Sequence, residues 1–422
     1  MKGVFLSLLL ILMALNSALS SDIKDAELIA AQKEYHSEVV FNLWLNYNKN
    51  PSSLTEFYNA LTEKHVVTPH PSDKHQSQVV YFAKGNKDTD YILQSGGPDF
   101  YGLRFSRIGN SNYYYCIQNI PNDAWFNYGV NEFSLTKMPP ESELSISSME
   151  HIYDNSVIGP KALLSPYITK DSKVAEGRVF ESNLASKSMN EDRTFAIYLP
   201  AGYDPAISHN LVIQLDGQNY ASPTSSKEIW KGWTPMPTIL DNLHSKKKLK
   251  PTIAIMVFNQ GKRSSDMLDE RFHAFIATEL VPWARKQYTI SNDRSNVIIS
   301  GPSRAGFAAS YTAFKHSDVF GGVLSQSGSF YYTLTETENW PIYPEFEGKI
   351  LSDYKQSVTL PIRFYMDVGL YDLGLAGIGT NRQFKDILLL KGYSVEYAEY
   401  NGGHSHLSWR HRLHIGLLAL LN

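Results

Sequence analysis

The chain has 422 residues, a formal net charge of −3, 43% hydrophobic residues and 19% charged residues. This composition excludes a disordered, collagenous or coiled-coil protein, and the near-neutral balance gives no reason to expect a nucleic-acid partner. The length exceeds one ordinary core, so two domains are expected. Aromatic residues make up 13%, among them 26 Tyr and 7 Trp, enough to suggest aromatic-lined surfaces. Cys116 is the single cysteine. It can form neither an internal disulfide nor a thiolate zinc site, and it reads as a buried, inert thiol.

Lys2, the apolar run at residues 4–15 and the small residues Ala18 and Ser20 have the three parts of a secretory signal peptide, cut after Ser20. The run is shorter than the ~20 residues that span a bilayer. No later stretch reaches that length without charges, so no membrane span is expected in the mature protein. No cysteine follows the cut, which excludes a lipoprotein. The expectation is a soluble, exported protein, periplasmic or secreted.

Residues 21–75 read as a helical segment. Leu28, Tyr35, Val39, Leu43 and Tyr47 recur near a helical period within 22–65, and Asn50-Pro51-Ser52-Ser53 separates a second, short helix. Residues 76–140 change texture. Short β-rich runs at 79–82, 91–93, 101–105 and 113–117 alternate with turns such as Ser95-Gly96-Gly97-Pro98 and Gly109-Asn110-Ser111-Asn112, which predicts a small antiparallel, Ig-like β-sandwich. Residues 141–175 read as a linker. From 176 to 422, apolar runs at 211–215, 252–258, 297–300, 322–324 and 362–368 are each followed by a helical stretch, including 269–288, 305–316 and 380–391. That alternation predicts an α/β domain with a mostly parallel central sheet, whose chemistry gathers beyond the carboxyl ends of the strands.

The run 296–300 leads directly into Gly301-Pro302-Ser303-Arg304-Ala305-Gly306 and then a helix. A serine on a sharp strand-to-helix turn with small neighbours is the nucleophile elbow of an α/β-hydrolase, here with Ala305 in place of the usual second glycine. A serine hydroxyl needs a base and an orienting acid, and in this fold they follow in the order Ser, Asp/Glu, His. His404, after Asn401-Gly402-Gly403 at the end of the strand 395–400, is the expected base, its glycines letting the imidazole swing toward the elbow. The acid should follow the strand 362–368. Asp372, in the loop, is preferred, with Asp367 inside the strand as the alternative. The backbone N–H of Arg304 and that of Gly217 or Gln218, after the strand 211–215, are the expected oxyanion donors, with Asp216 holding their loop. His404, His406, His411 and His414 raise the rival reading of a zinc site. No carboxylate or cysteine cluster accompanies them, so neither a metal nor a cofactor is expected.

Leu215-Asp216-Gly217-Gln218, the elbow, Leu324-Ser325-Gln326-Ser327-Gly328-Ser329 and Gly402-Gly403-His404 with Trp409-Arg410 resemble the enterochelin (enterobactin) esterase family of esterase-D-like α/β-hydrolases. Phe100-Tyr101-Gly102, residues 113–121 and Phe126-Asn127-Tyr128 resemble that family's amino-terminal sandwich domain; residues 22–75 lie outside the resemblance. The resemblance implies ester hydrolysis through an acyl-serine, with ferric catecholate siderophore trilactones as substrates. It carries the nucleophile onto Ser303, the base onto His404 and the acid onto Asp372. Arg263 stands where that family has a substrate-side cation, with a solvated loop cation as the alternative; Tyr331 and Trp409 are the further candidate substrate contacts. The sequence departs from the family's Gly-x-Ser-x-Gly-Gly at Arg304 and Ala305, and an arginine there is expected to enlarge and charge the mouth of the site. It departs again at Phe330-Tyr331-Tyr332, where the family has tryptophan, at Ser405, where it has Asp, and in carrying a signal peptide. The expected partner is a small-molecule ester, ferric siderophores included. The alternatives are a feruloyl- or acetyl-type carbohydrate esterase and a binding protein of the same fold without turnover.

Overall fold

A computed structural model describes residues 25–99, 102–134, 155–222, 234–332 and 347–422. The expected signal peptide and residues 141–154 of the expected linker lie outside the described residues. The chain divides into two compact units, Met1–Asn122 with Tyr128–Asn155, and Asp123–Asn127 with Ser156–Asn422.

The first unit begins with helices Asp25–Tyr35, Glu38–Lys49 and Ser53–Ala60. The helical segment ends there, earlier than its sequence suggests, because His65–Pro69 is already a strand, β1. Three strands follow that were expected in part: β2 (Gln76–Lys84), β3 (Tyr91–Ser95) and β6 (Tyr113–Pro121). Between β3 and β6 lie β4 (Leu103–Arg104) and β5 (Ser106–Arg107), and β7 (Trp125–Phe133) closes the run. One antiparallel sheet has the order β1-β2-β6-β5; β4, β3 and β7 pair in a second. The sheets face each other through Tyr81 of β2 and Tyr128 of β7, whose rings lie 4.6 Å apart. Alternate residues Val80 and Phe82 point the other way, into a core with Tyr35, Val40 and Leu43 of the helices. The single thiol, Cys116, pairs across the strands with Tyr81, on the opposite face from that core; it is buried, and burial pushes its pKa well up.

In the second unit β8 (Asn155–Ile158) precedes a hairpin, β9 (Arg178–Ser186) and β10 (Glu191–Leu199). The sequence pattern misses this hairpin because β9 is a largely exposed edge strand without an apolar run, and the apolar run of β10 at 195–199 is followed by a strand, not a helix. The remaining strands are β11 (Asn210–Gln214), β12 (Thr252–Val257), β13 (Val297–Pro302), β14 (Gly322–Gln326), β15 (Arg363–Tyr371) and β16 (Ser394–Gly403). Their order, β16-β15-β14-β13-β11-β12-β10-β9, is parallel from β16 to β12 and antiparallel beyond. The fold is thus α/β with a mostly parallel central sheet. Ile213 and Ile255 face one apolar layer, with the helices Arg304–Lys315, Lys349–Gln356 and Gly374–Leu390. Val212 and Met256 face the other, with Met236–Ser245 and His406–Leu421. The expected helix at 269–288 is interrupted by a π-helical turn, Phe275–Leu280, just before Pro282, which has no N–H to continue the α-helical ladder.

Candidate active site

Parallel strands bring their carboxyl ends to one edge of the sheet, and the loops there hold the polar residues of interest. Ser303 alone joins β13 to the helix Arg304–Lys315, with φ 56° and ψ −125°. That backbone region is strained for any residue with a Cβ. The strain is fixed from both sides. Ser303 N–H donates to Gln326 O at 2.8 Å, and Ser303 O accepts from Gly306 N at 2.9 Å and Ser329 N at 3.0 Å. A Cβ on Gly301 would lie 2.6 Å from the Ala305 carbonyl carbon, so glycine at 301 gives the helix room and Ala305 is accommodated.

β16 contains both Gly402 and Gly403, so His404 is delivered by an extended strand, not by a swivel. Its Nε2 lies 2.9 Å from Ser303 Oγ and its Nδ1 lies 2.6 Å from Asp372 Oδ1. Asp372 follows the last residue of β15, its N–H turned back to Gly369 O at 3.2 Å. All three side chains are buried. With the Nδ1 proton held by the carboxylate, the Nε2 lone pair faces the serine hydroxyl, an arrangement able to accept that proton. Asp367 has other partners. Its Oδ2 accepts from Tyr365 hydroxyl at 3.1 Å and lies 3.4 Å from Arg412 Nε, and its carbonyl accepts from Ser327 N at 2.6 Å. Burial raises the Asp367 pKa against the opposing charge of Arg412.

Gly217 and Gln218 open a short turn after β11. Gln214 is in register with Ser300 and Leu215 N donates to Ser300 O at 2.8 Å, so three residues later Gly217 runs beside the elbow. A Cβ there would lie 2.2 Å from the Met256 carbonyl carbon, so only glycine lets the turn press on β12. The Gln218 side chain accepts from Asn259 N at 3.2 Å. Arg304 opens its helix, where the first N–H groups have no intrahelical acceptor.

Arg263, the expected substrate-side cation, forms a two-pronged pair with Asp216: Nε to Oδ1 at 2.8 Å and Nη2 to Oδ2 at 2.7 Å. Burial pushes the Asp216 pKa up, but Arg263 and the Asn259 amide outweigh it and hold the carboxyl below its usual range. The guanidinium therefore braces the Gly217 turn while its side chain keeps 37% of its surface exposed. Tyr331 is buried, its ring 4.8 Å from that of Tyr332. Trp409 is also buried. Its ring sets edge-on to His404 at 5.1 Å and its Nε1 donates to Ser327 Oγ at 3.0 Å, so it buttresses the imidazole. The Arg304 side chain folds onto Tyr332 instead of widening the mouth.

The remaining histidines go separate ways. His406 Nδ1 lies 3.0 Å from Thr234 Oγ1, His411 Nδ1 accepts from Ser165 N at 2.9 Å, and His414 packs 5.0 Å from the Tyr167 ring. Burial lowers the His406 and His411 pKa values to about 3. Among the described residues no three His, Cys, Asp or Glu side chains converge to hold a metal ion. Sequence reasoning gave no role to Ser329, whose Oγ lies 3.2 Å from Ser303 Oγ, nor to Asn381, whose Nδ2 holds Gly328 O at 2.7 Å. Ser329 sits in a run that the family resemblance already marks; Asn381 carries no local signal.

Comparison with known proteins now bears on this geometry. The family described as "Putative esterase" matches residues 186–420. The chain belongs to this esterase family. Iron(III) enterobactin esterase of Dickeya dadantii (strain 3937) is 26% identical over 56% of this chain, which spans 53% of that protein's length. An endo-1,4-beta-xylanase/feruloyl esterase of Xylanibacter ruminicola is 26% identical over 50% of this chain and 30% of its own. Ferric enterobactin esterase of Salmonella typhimurium shares the fold, with a TM-score of 0.69 at 16% identity over 87% of this chain and 98% of its own.

Proposed function

We propose that this family member is an exported serine esterase that cleaves carboxylic esters, with iron-catecholate siderophore trilactones as its substrate class. The observation that carries the reading is the unbroken line Asp372–His404–Ser303, with both contacts at hydrogen-bond length. In this mechanism Ser303 Oγ attacks the ester carbonyl as His404 Nε2 takes its proton. The N–H groups of Arg304 and of Gly217 or Gln218 receive the oxyanion, and His404 returns the proton to the departing alkoxide, leaving an acyl-serine. Water, activated by the same imidazole, releases the acid. Asp372 holds the ring's orientation and tautomer and balances its positive charge. The trilactone assignment draws on the named activity of the Dickeya relative and on the aromatic residues Tyr331 and Tyr332 that follow Ser329.

A fluorophosphonate probe tests the serine. Labelling of the mature protein that disappears in Ser303→Ala is expected, and folded protein that resists labelling would leave a binding protein of the same fold. Side-by-side product analysis with ferric enterobactin and a feruloyl ester tests the substrate. The Xylanibacter relative favours the second reading, and preferential release of ferulate would establish it. Export is read from Lys2, the apolar run and Ser20. Amino-terminal sequencing of the protein recovered outside the cytoplasm should begin at Ser21; recovery of the intact start inside the cell would refute export.

A further inference from the structure

Arg304 carries a charge that no carboxylate among the described residues answers. The residue is 9% exposed, next to the proposed nucleophile. Its Nη2 donates to the Tyr332 hydroxyl at 2.6 Å, and its Cζ lies 4.5 Å from the centre of the Tyr332 ring. Its buried Nε has no hydrogen-bond partner among the described residues. Among the described residues no carboxylate forms an ion pair with it. The other arginine of this unit that is buried among the described residues, Arg193, is treated differently: it has Asp266 at 2.8 Å and Glu191 at 2.7 Å.

A guanidinium withdrawn from water is costly unless a counter-charge is supplied. The face and hydroxyl of one tyrosine offset only part of that cost. The pair also stands at the reacting centre. Tyr332 follows Ser329, whose Oγ lies 3.2 Å from Ser303 Oγ. Arginine is the side chain best shaped to meet a carboxylate or a catecholate oxygen pair.

We propose that Arg304 is an anion subsite, which receives a carboxylate or catecholate oxygen carried by the substrate within a few bonds of the ester carbonyl. This rests on the serine-esterase reading and deepens it: the site selects negatively charged esters over neutral ones of similar shape. Tyr332 holds the guanidinium in place until the anion arrives.

The test uses the full mature chain and three esters: 4-nitrophenyl butyrate (neutral), mono-4-nitrophenyl succinate (anion on the acyl side) and 4-carboxyphenyl butyrate (anion on the leaving group). Comparing the same ester between enzymes cancels its intrinsic reactivity. In Arg304→Met, kcat/KM for one anionic ester should fall about 10- to 100-fold further than for the neutral ester. The excess should appear in KM, and Arg304→Lys should restore part of it. Whichever anionic ester responds tells which side of the ester bond the subsite serves. An equal fall for all three esters overturns the proposal. A second measurement needs no variant: succinate should compete with 4-nitrophenyl butyrate on the wild-type protein while succinamide does not, and equal inhibition by both also overturns it. If wild-type protein cleaves no ester and Ser303 resists the fluorophosphonate, the serine reading itself fails instead.

Discussion

The two units make their sharp turns differently. Among the described residues of the first unit, positive φ falls on Gly96, Gly97, Gly102 and Gly109, with His36 the exception. At the carboxyl edge of the large sheet the same region of backbone space is taken by Asp216, Gln260, Ser303 and Ser327, which follow β11, β12, β13 and β14. Glycine enters that region without steric cost, whereas other residues lose roughly 1–3 kcal/mol each. Each of the four side chains is engaged. Asp216 holds Arg263, Gln260 accepts from Thr194 N, Ser327 accepts from Trp409, and Ser303 faces His404. At these four positions strain coincides with an engaged side chain; away from that edge the second unit also has Asn190 and Lys247 at positive φ, in a hairpin turn and just after a helix.

The largest test of that contrast is at Ser303. Ser303→Ala should lower kcat by at least about 10⁴-fold. Ser303→Gly should be equally inactive yet more stable by about 1 kcal/mol, since it relieves the strained turn. Gly109→Ala, in the first unit, should do the reverse, losing about 1 kcal/mol of stability with kcat unchanged. Thermal melts and steady-state rates on the three variants decide it. A destabilised Ser303→Gly would remove strain from the account.

The two aspartates come next. Asp372→Asn should cost about 10⁴-fold in kcat, because an amide cannot hold the imidazole in the required tautomer. Asp367→Asn should cost less than about tenfold in rate but about 1–3 kcal/mol in stability, since it leaves Arg412 without its counter-charge. Equal losses of rate in the two would pass the orienting role to Asp367.

These assignments were legible in the sequence to different depths. Ser303 was legible because a nucleophile elbow is local: a buried strand, small residues and a helix within a dozen positions. His404 and Asp372 were legible through strand order. The preference for Asp372 followed from its place in a loop, and the observed contact fits that geometry. Strand β9 was not legible, because an edge strand facing water lacks the apolar run that marks the central ones, and β10, which has such a run at 195–199, is followed by a strand and not by the helix of the alternating pattern. Arg263, Trp409 and Arg304 were placed by type and position, yet what a side chain does there depends on partners far away in sequence. Asp216 claims the first, Ser327 and His404 the second, Tyr332 the third. No periodicity encodes such contacts.

Gly217→Ala probes a glycine at the strained edge that is needed for closeness, not for φ. The new methyl would meet the backbone of Met256, so the turn must lift from β12 and carry its N–H groups away from the oxyanion position. Loss of one such donor costs about 10²- to 10³-fold in kcat. The variant should show that loss with little change in KM; an unaltered kcat would move the donor elsewhere.

Ser329→Ala gives the smallest effect. The Ser329 hydroxyl lies 3.2 Å from Ser303 Oγ, and either oxygen can donate. Ser303 has one proton, and the imidazole nitrogen at 2.9 Å is both closer and the stronger acceptor. Ser329 must then be the donor, directing its own proton at the Ser303 oxygen and stabilising the charge that grows there as His404 withdraws the other. A bond of that kind is worth about 0.5–1.5 kcal/mol, so kcat should fall about 2- to 10-fold. The pH profile should stay unchanged, since no titrating group is lost. A rise in kcat would reverse the direction of the bond and make Ser329 a competitor for the proton that His404 needs.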